Sequence, residues 1–302
     1  MMKKVVVISG PTGVGKTAFS LHLASRFKGE IINADASQFK KGLDIGTAKI
    51  KKEEMMGIPH HLLDIIAPND EFSISDYQIL AREKVDEIIK NNHLPVIVGG
   101  SGLYIDALIN DYKLKASKSN HQEIEEKYQN YSNLELYELL KSLDEDLANL
   151  THPNNRNRVL RYIERANSGS SVQDNTSNPI YDVLYIFLTR DRAVLYKRIN
   201  NRVIEMLENG WIDEVKCLKD KHIDIKAIKE IGYLEIDDYL NGNLSYDDMV
   251  DMIQKNTRHY AKRQITWFKN KTNHITYDLD HQSEDEILDK VKMFIEGEKD
   301  EK

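Results

Sequence analysis

A chain of 302 residues, 40% of them hydrophobic, is long enough for one large or two ordinary domains and apolar enough to bury a sizeable core. Its 42 basic against 49 acidic residues leave a formal net charge of −7, which argues against a uniformly basic nucleic-acid-binding chain, and no apolar run approaches the roughly 20 residues that a bilayer span needs. Met1-Met2-Lys3-Lys4 leads into a strand pattern rather than a signal-peptide core, and the single cysteine, Cys217, excludes an intramolecular disulfide, so a cytoplasmic protein with no membrane contact is expected.

The first element in chain order is the apolar run Val5-Val6-Val7-Ile8, read as a buried strand. It opens into Gly10-Pro11-Thr12-Gly13-Val14-Gly15-Lys16-Thr17, a G-x-x-x-x-G-K-[ST] phosphate loop. Phe19, Leu23, Ala24 and Phe27 then recur at helical spacing. Backbone N–H groups around Gly13 to Thr17 therefore point from a helix N-terminus towards an anion, Lys16 adds a full positive charge, and the Thr17 hydroxyl is the usual Mg2+ ligand of such a loop. The loop predicts binding of a pyrophosphate or a nucleotide.

Ile31-Ile32 reads as a second strand, ending at Asn33-Ala34-Asp35. Ligands gather at the carboxyl ends of strands in open α/β sheets, so Asp35 should face the same crevice as Lys16, as a functional carboxylate or as the cap of the next turn. Val96-Ile97-Val98 is a third strand, opening into Gly99-Gly100-Ser101-Gly102. Glycines stand there where many nucleoside triphosphatases place a magnesium-binding Asp, which weakens an ATPase reading. Strand signals then stop until Leu184 to Leu188 and return once more at Ile275-Thr276-Tyr277.

Between these, residues 123–128 and 134–147 read as helices, the second on Leu136, Leu139, Leu140, Leu143 and Leu147. A basic segment from Arg156 to Arg165 follows, then a polar connector over residues 167–178. Beyond the fourth strand, helices are expected over residues 193–209, 212–221 and 245–270, with Gly242 closing a preceding helix and Ser245 with Asp248 forming an S-x-x-D start. Cys217, beside Val215 and Leu218, is expected as a buried thiol. No internal repeat or metal-ligand cluster is evident, and His60-His61 lacks the i, i+4 spacing that would share a zinc. The fold class is α/β, a P-loop-containing parallel-sheet core from residues 1–110 and 180–302 with a helical insertion domain at 111–179.

Charge is unevenly placed. The stretch from Arg156 to Arg202 has nine basic and four acidic residues, and that from Met252 to Tyr277 has six basic and none acidic. Residues 278–302 carry ten acidic and four basic residues, which reads as an acidic tail and leaves two basic stretches for a phosphate-rich partner.

Five further blocks occur in a recognisable order: Asp44-Ile45-Gly46-Thr47-Ala48-Lys49, Pro59-His60-His61-Leu62-Leu63-Asp64, Gly99-Gly100-Ser101-Gly102-Leu103-Tyr104, His152-Pro153-Asn154, and Ala261-Lys262-Arg263-Gln264-Ile265-Thr266-Trp267-Phe268. With the phosphate loop they resemble the tRNA dimethylallyltransferases from residue 10 to about residue 270. The resemblance implies transfer of a dimethylallyl group from dimethylallyl diphosphate to N6 of adenine 37, in tRNAs reading codons that begin with U; a monomer is expected. It implies Asp35 as general base, Arg202 on the diphosphate, and Thr12 near the reacting end. It also implies tRNA anticodon stem-loop contacts from Asp35, Ala36, Ser37 and Gln38, from Ser101, and from Asn157, Arg158, Val159, Leu160 and Arg161. The chain departs from the commoner family pattern at Ala36 for Ser, Lys40 for Tyr, Ile50 for Pro and Ser101 for Thr.

The chemistry suits those residues. An exocyclic adenine amine is a weak nucleophile and gains from a carboxylate that accepts its proton. A departing diphosphate needs N–H donors and cations already in place. The loop alone is also compatible with a kinase of a nucleoside or small metabolite, using Asp35 towards a hydroxyl, or with a nucleotide-switched RNA-binding module. Trp267, Phe268 and Tyr260 could stack on bases, though an apolar helix face predicts core packing for Trp267 and Phe268.

Overall fold

In the computed structural model, which describes residues 2–70, 72–112, 121–167, 178–270 and 274–297, the strands form one parallel sheet. They are β1 (Lys4–Ser9), β2 (Gly29–Asn33), β3 (His60–His61), β4 (Leu94–Gly99), β5 (Asp182–Thr189) and β6 (Ile275–Asp278), in the order β3-β2-β4-β1-β5-β6. The helices are α1 (Lys16–Arg26), α2 (Ile74–Lys90), α3 (Gly102–Ile109), α4 (His121–Lys127), α5 (Asn133–Leu143), α6 (Glu145–Asn149), α7 (Arg156–Asn167), α8 (Arg192–Glu208), α9 (Trp211–Asp220), α10 (Tyr233–Leu240), α11 (Tyr246–Lys269) and α12 (Glu284–Glu296).

Central β1 is buried on both faces, which is why its sequence does not alternate. Val6 and Ile8 pack into a core with residues of α1, α8 and α12, while Val5 and Val7 pack into the opposite layer with residues of α2 and α3. A third core, built around Trp211, Val215, Tyr233, Met249 and Ile253, joins α8 to α11.

The chain separates into two compact units, Met1–Asn110 with Asn178–Lys302, and Asp111–Ser177. Within the second unit Leu136, Leu140, Leu147, Val159, Leu160 and Ile163 form the core. The expected helix over 134–147 is two helices. Asp144 leaves helical geometry at φ −160° and its carboxylate accepts from the Leu147 N–H at 2.9 Å, so it ends α5 and caps α6. Most of the expected connector over 167–178 lies outside the described residues.

Two other expectations are corrected. The acidic stretch after β6 is not simply a tail, because Ile287, Leu288 and Val291 give α12 a buried stripe. Cys217 is exposed, since Trp211, Val215 and Leu218 define the inward face of α9 and position 217 falls outside that face.

One carboxylate ties the loop after β2 to the α8–α11 layer. Glu214 of α9 accepts from the N–H groups of Asp44 (2.8 Å), Ile45 (2.7 Å) and Gly46 (3.1 Å), and from the Tyr233 hydroxyl (2.8 Å). Burial and this carboxylate raise the Tyr233 pKa, keeping the phenol a donor. Glu214→Gln replaces one acceptor oxygen with an NH2 facing donors, so the urea midpoint should fall by the equivalent of about 2–4 kcal/mol with little change in slope. An unchanged midpoint would show that the loop holds its shape unaided.

Candidate active site

The strand β1 delivers the phosphate loop to the N-terminus of α1. Gly13 and Gly15 take φ values of 80° and 118°, a region that L side chains resist, and Gly15 is the N-cap of α1. Lys16 Nζ donates back to the carbonyls of Gly10 (2.9 Å) and Pro11 (3.0 Å). Burial lowers its pKa to about 8, with the Asp35 carboxylate acting in the opposite sense and the Arg202 charge adding to the depression. Thr17 is exposed in the first turn of α1.

Side chains distant in sequence brace this loop. Arg190 Nε donates to Val14 O and Arg198 Nε to Gly13 O, each at 2.9 Å. Gln264 Oε1 accepts the Thr12 N–H at 2.8 Å, and Arg202 Nη1 donates to Thr12 Oγ1 at 3.3 Å. Arg190 is held in turn by Asp280.

Asp35 lies just past β2. Asn33 shapes its turn, taking the Asp35 N–H on Oδ1 at 2.9 Å and donating from Nδ2 to Asp35 O at 3.1 Å. Asp35 Oδ1 accepts from Ser37 N (3.2 Å) and Ser37 Oγ (2.7 Å), so the carboxylate caps the 3-10 turn Ala36–Phe39. The Ala36 N–H donates to Ser101 Oγ at 3.3 Å, joining this turn to the end of β4.

A cleft of about 320 Å³ brings together Thr12, Asp35, Ala36, Ser37, Ser101 and Arg202, the size of an ordinary small-ligand site. One wall is a stripe of α8: Ile199, Arg202, Val203 and Met206 follow helical spacing, so the face that carries the cation also carries the apolar surface. Trp211 and Ile231 extend the apolar lining, and Tyr260 and Arg263 come from α11. Lys40 pairs with the cleft residue Glu230 at 3.2 Å.

Other expected residues fall elsewhere. Gln38 donates to Thr47 O at 3.2 Å, and with Thr17 it lines a separate cavity of about 40 Å³. In the helical unit Asn157, Arg158 and Arg161 are exposed on α7, whereas Val159 and Leu160 are fully buried, so their side chains offer no contact surface. Arg158 Nε donates to Tyr162 Oη at 3.0 Å. Phe268 is buried as expected, but Trp267 is 41% exposed, so the apolar-face reading fits only one of the pair.

Sequence reasoning gave no role to Gln264, Arg190 or Arg198. The block from Ala261 to Phe268 was the available signal for Gln264, and the basic content of 156–202 for the arginines. It also missed a cluster of Asp191, Asp278 and His281, which the sheet gathers from separate segments to within 4.8 Å; Asp191 and His281 are exposed, and such groups commonly assemble without an ion.

Residues 38–271 match the family model for IPP transferase. The chain is 42% identical over its whole length to the tRNA dimethylallyltransferase of Halalkalibacterium halodurans, covering 99% of that protein, and 42% identical to that of Bacillus subtilis, covering 91% of this chain and 90% of the other. Among solved structures, the tRNA isopentenylpyrophosphate transferase of Bacillus halodurans superposes with a TM-score of 0.72 at 42% identity, over 98% of this chain and 96% of that one. A eukaryotic dimethylallyltransferase acting on tRNA gives a TM-score of 0.83 at 26% identity, over 99% of this chain and 81% of the other. Thr12 of the phosphate loop, the strand-end Asp35 and an apolar face of α8 thus share one cleft in a chain matched almost end to end by these proteins, and the chain belongs to the IPP transferase family.

Proposed function

We propose that this protein transfers a dimethylallyl group from dimethylallyl diphosphate to N6 of adenine 37, in tRNAs that read codons beginning with U. The observation that carries the reading is the shared cleft, in which Asp35 and the Thr12–Arg202 pair face an apolar stripe of α8. A phosphorylated five-carbon donor needs that combination of cations and apolar wall.

In the reaction the N6 lone pair forms a bond to the allylic carbon while the carbon–oxygen bond breaks, its electron pair leaving on diphosphate. The loop N–H groups, Lys16 and Arg202 receive that charge in a site that needs little rearrangement. Asp35 takes the proton from N6. Its Oδ1 is occupied by Ser37, which leaves Oδ2 as the basic atom. The target adenine must leave its stack to reach Asp35. The donor set also suits magnesium: Thr17 offers an exposed hydroxyl beside the loop, diphosphate oxygens would complete a shell of hard oxygen ligands, and the bound ion would offset leaving-group charge. The helical unit, with Arg158 and Arg161 exposed on α7, would grip the anticodon arm through its phosphates.

Lys16 sets a pH dependence. With its pKa at about 8, it is charged in the free protein at neutral pH and loses that charge above about pH 8, whereas a bound diphosphate favours the charged form. Donor binding above that pH must therefore take up a proton, so the donor Kd should rise towards about tenfold per pH unit. Lys16→Arg should bind less well but with a flat profile, because a guanidinium stays charged. Titrations with dimethylallyl diphosphate from about pH 7 to 9.5 check both, and a flat wild-type profile would show that Lys16 does not contact the donor.

Replacing Arg158 and Arg161 together with Ala should weaken tRNA binding and reduce the salt slope by about 1 per arginine, leaving donor affinity unchanged. Unchanged tRNA affinity in the double variant removes the helical unit's arginines from the interface.

The decisive test uses unmodified tRNA with labelled dimethylallyl diphosphate or labelled ATP. Prenyl label should move to tRNA. Asp35→Asn should transfer it more slowly, on the order of 10²–10⁴-fold in single turnover, with donor affinity within a few-fold of wild type. Movement of phosphate from ATP to a small acceptor, with no prenyl transfer, would install a kinase instead.

A further inference from the structure

Gln264 is a buried polar side chain, 5% exposed, on α11. Its carbonyl oxygen accepts the Thr12 N–H at 2.8 Å and its amide nitrogen donates to Gly100 O at 3.1 Å. One side chain thereby spans the phosphate loop and the turn after β4. The fit at Gly100 is close: a Cβ there would stand 2.1 Å from Gln264 Nε2. One helical turn earlier on α11, Tyr260 lines the cleft together with Ser101 and Asp35. Burial and the neighbouring Asp35 charge raise the Tyr260 pKa, so the phenol stays protonated. Ser101 Oγ in turn receives the Ala36 N–H beside Asp35.

These contacts form one continuous path from the loop that would hold the donor to the turn that carries the base. The path also disposes of an N–H. In the phosphate loop the Thr12 N–H is taken by Gln264 and so is not left for an anion, and the Thr12 hydroxyl is held by Arg202. Resting on the transfer reading above, we propose that Gln264 is a positioning residue that sets the donor's reacting carbon relative to the acceptor amine. It does so by fixing Thr12 against Gly100, whose chain neighbour Ser101 holds the Ala36 N–H beside Asp35. It touches neither substrate. Its effect should appear in the rate of transfer rather than in donor binding, because in-line attack is sensitive to small displacements of the reacting atoms.

The test compares single-turnover transfer from labelled dimethylallyl diphosphate to unmodified tRNA for wild type, Gln264→Leu and Gln264→Glu. Donor Kd and thermal midpoints are measured on the same preparations. Gln264→Leu keeps the bulk and loses both hydrogen bonds, so the rate should fall about 10- to 100-fold while donor Kd moves less than a few-fold. Gln264→Glu supplies a sharper readout. Ionised, it can accept from Thr12 but places a charged oxygen against Gly100 O. Protonated, it accepts from Thr12 and donates to Gly100, as the amide does. Its rate relative to wild type at the same pH should therefore climb as pH falls from about 8 to about 5.5, a recovery that loss of packing alone does not produce.

A Gln264→Leu protein that is folded and transfers at the wild-type rate overturns the proposal. So does a folded Gln264→Glu protein whose rate stays in constant ratio to wild type across that range. Should Gln264→Leu fail to fold, the pH-dependent ratio of Gln264→Glu decides alone. Absence of prenyl transfer by the wild type would instead overturn the reading of the reaction, which separates the two failures.

Discussion

Lys16 and Arg202 are two partly buried cations coupled to each other, and much of the surrounding architecture offsets the cost of withdrawing them from water. Desolvation lowers both pKa values, while the Asp35 carboxylate acts against the shift in both. The loop contributes the carbonyls of Gly10 and Pro11 to Lys16, and Thr12 Oγ1 accepts from Arg202. These partners are weaker than a phosphate dianion would be. An arriving anion would draw these cations from neutral acceptors into charge-assisted contacts.

Such a loop cannot be specified locally. Gly13 and Gly15 let the backbone turn its N–H groups outward, but the same freedom would let it collapse. Its shape is held by Arg190, Arg198 and Gln264, which are 176, 185 and 252 residues from their partners in the chain. Each donates to a loop carbonyl or accepts a loop N–H that does not point into the anion cradle. Arg198 and Gln264 sit on α8 and α11, which also build the cleft wall, and Arg190 stands between β5 and α8. A displacement of either helix would thus alter the phosphate loop and the apolar wall together, which would couple grip on the proposed donor to its fit through ordinary packing.

The sequence carried the central parts of this site because their chemistry is local. The phosphate loop, the strand-end Asp35 and the buried runs of β1, β2, β4 and β5 are each contiguous patterns, and β6 is nearly so. The two-residue β3 has no pattern to read. The helix α2 was announced by Ser73 and Asp76, a capping box with reciprocal contacts at 3.0 and 3.1 Å, but its signal is short and easily passed over. Net charge obscured α12, whose three buried apolar residues are outnumbered by acids. Gln264 was least legible. A glutamine amid Lys262, Arg263 and Thr266 reads as a solvated helix face, and only the tertiary fold shows the oxygen and the nitrogen of its amide both engaged.

Asp35 shows why a structural and a functional reading of one residue need not compete. Read from sequence, a strand-terminal aspartate is either a cap or a base. In the structure Oδ1 holds the Ser37 N–H and hydroxyl, and the turn that begins there is further fixed by Asn33 and by Ser101. Capping uses one oxygen and immobilises the carboxylate plane, and that plane determines where the second oxygen points. A base held by a flexible side chain would have to lose rotamer freedom in each turnover. Here the turn has already removed that freedom on folding, so the cap is what would give the proposed base its direction.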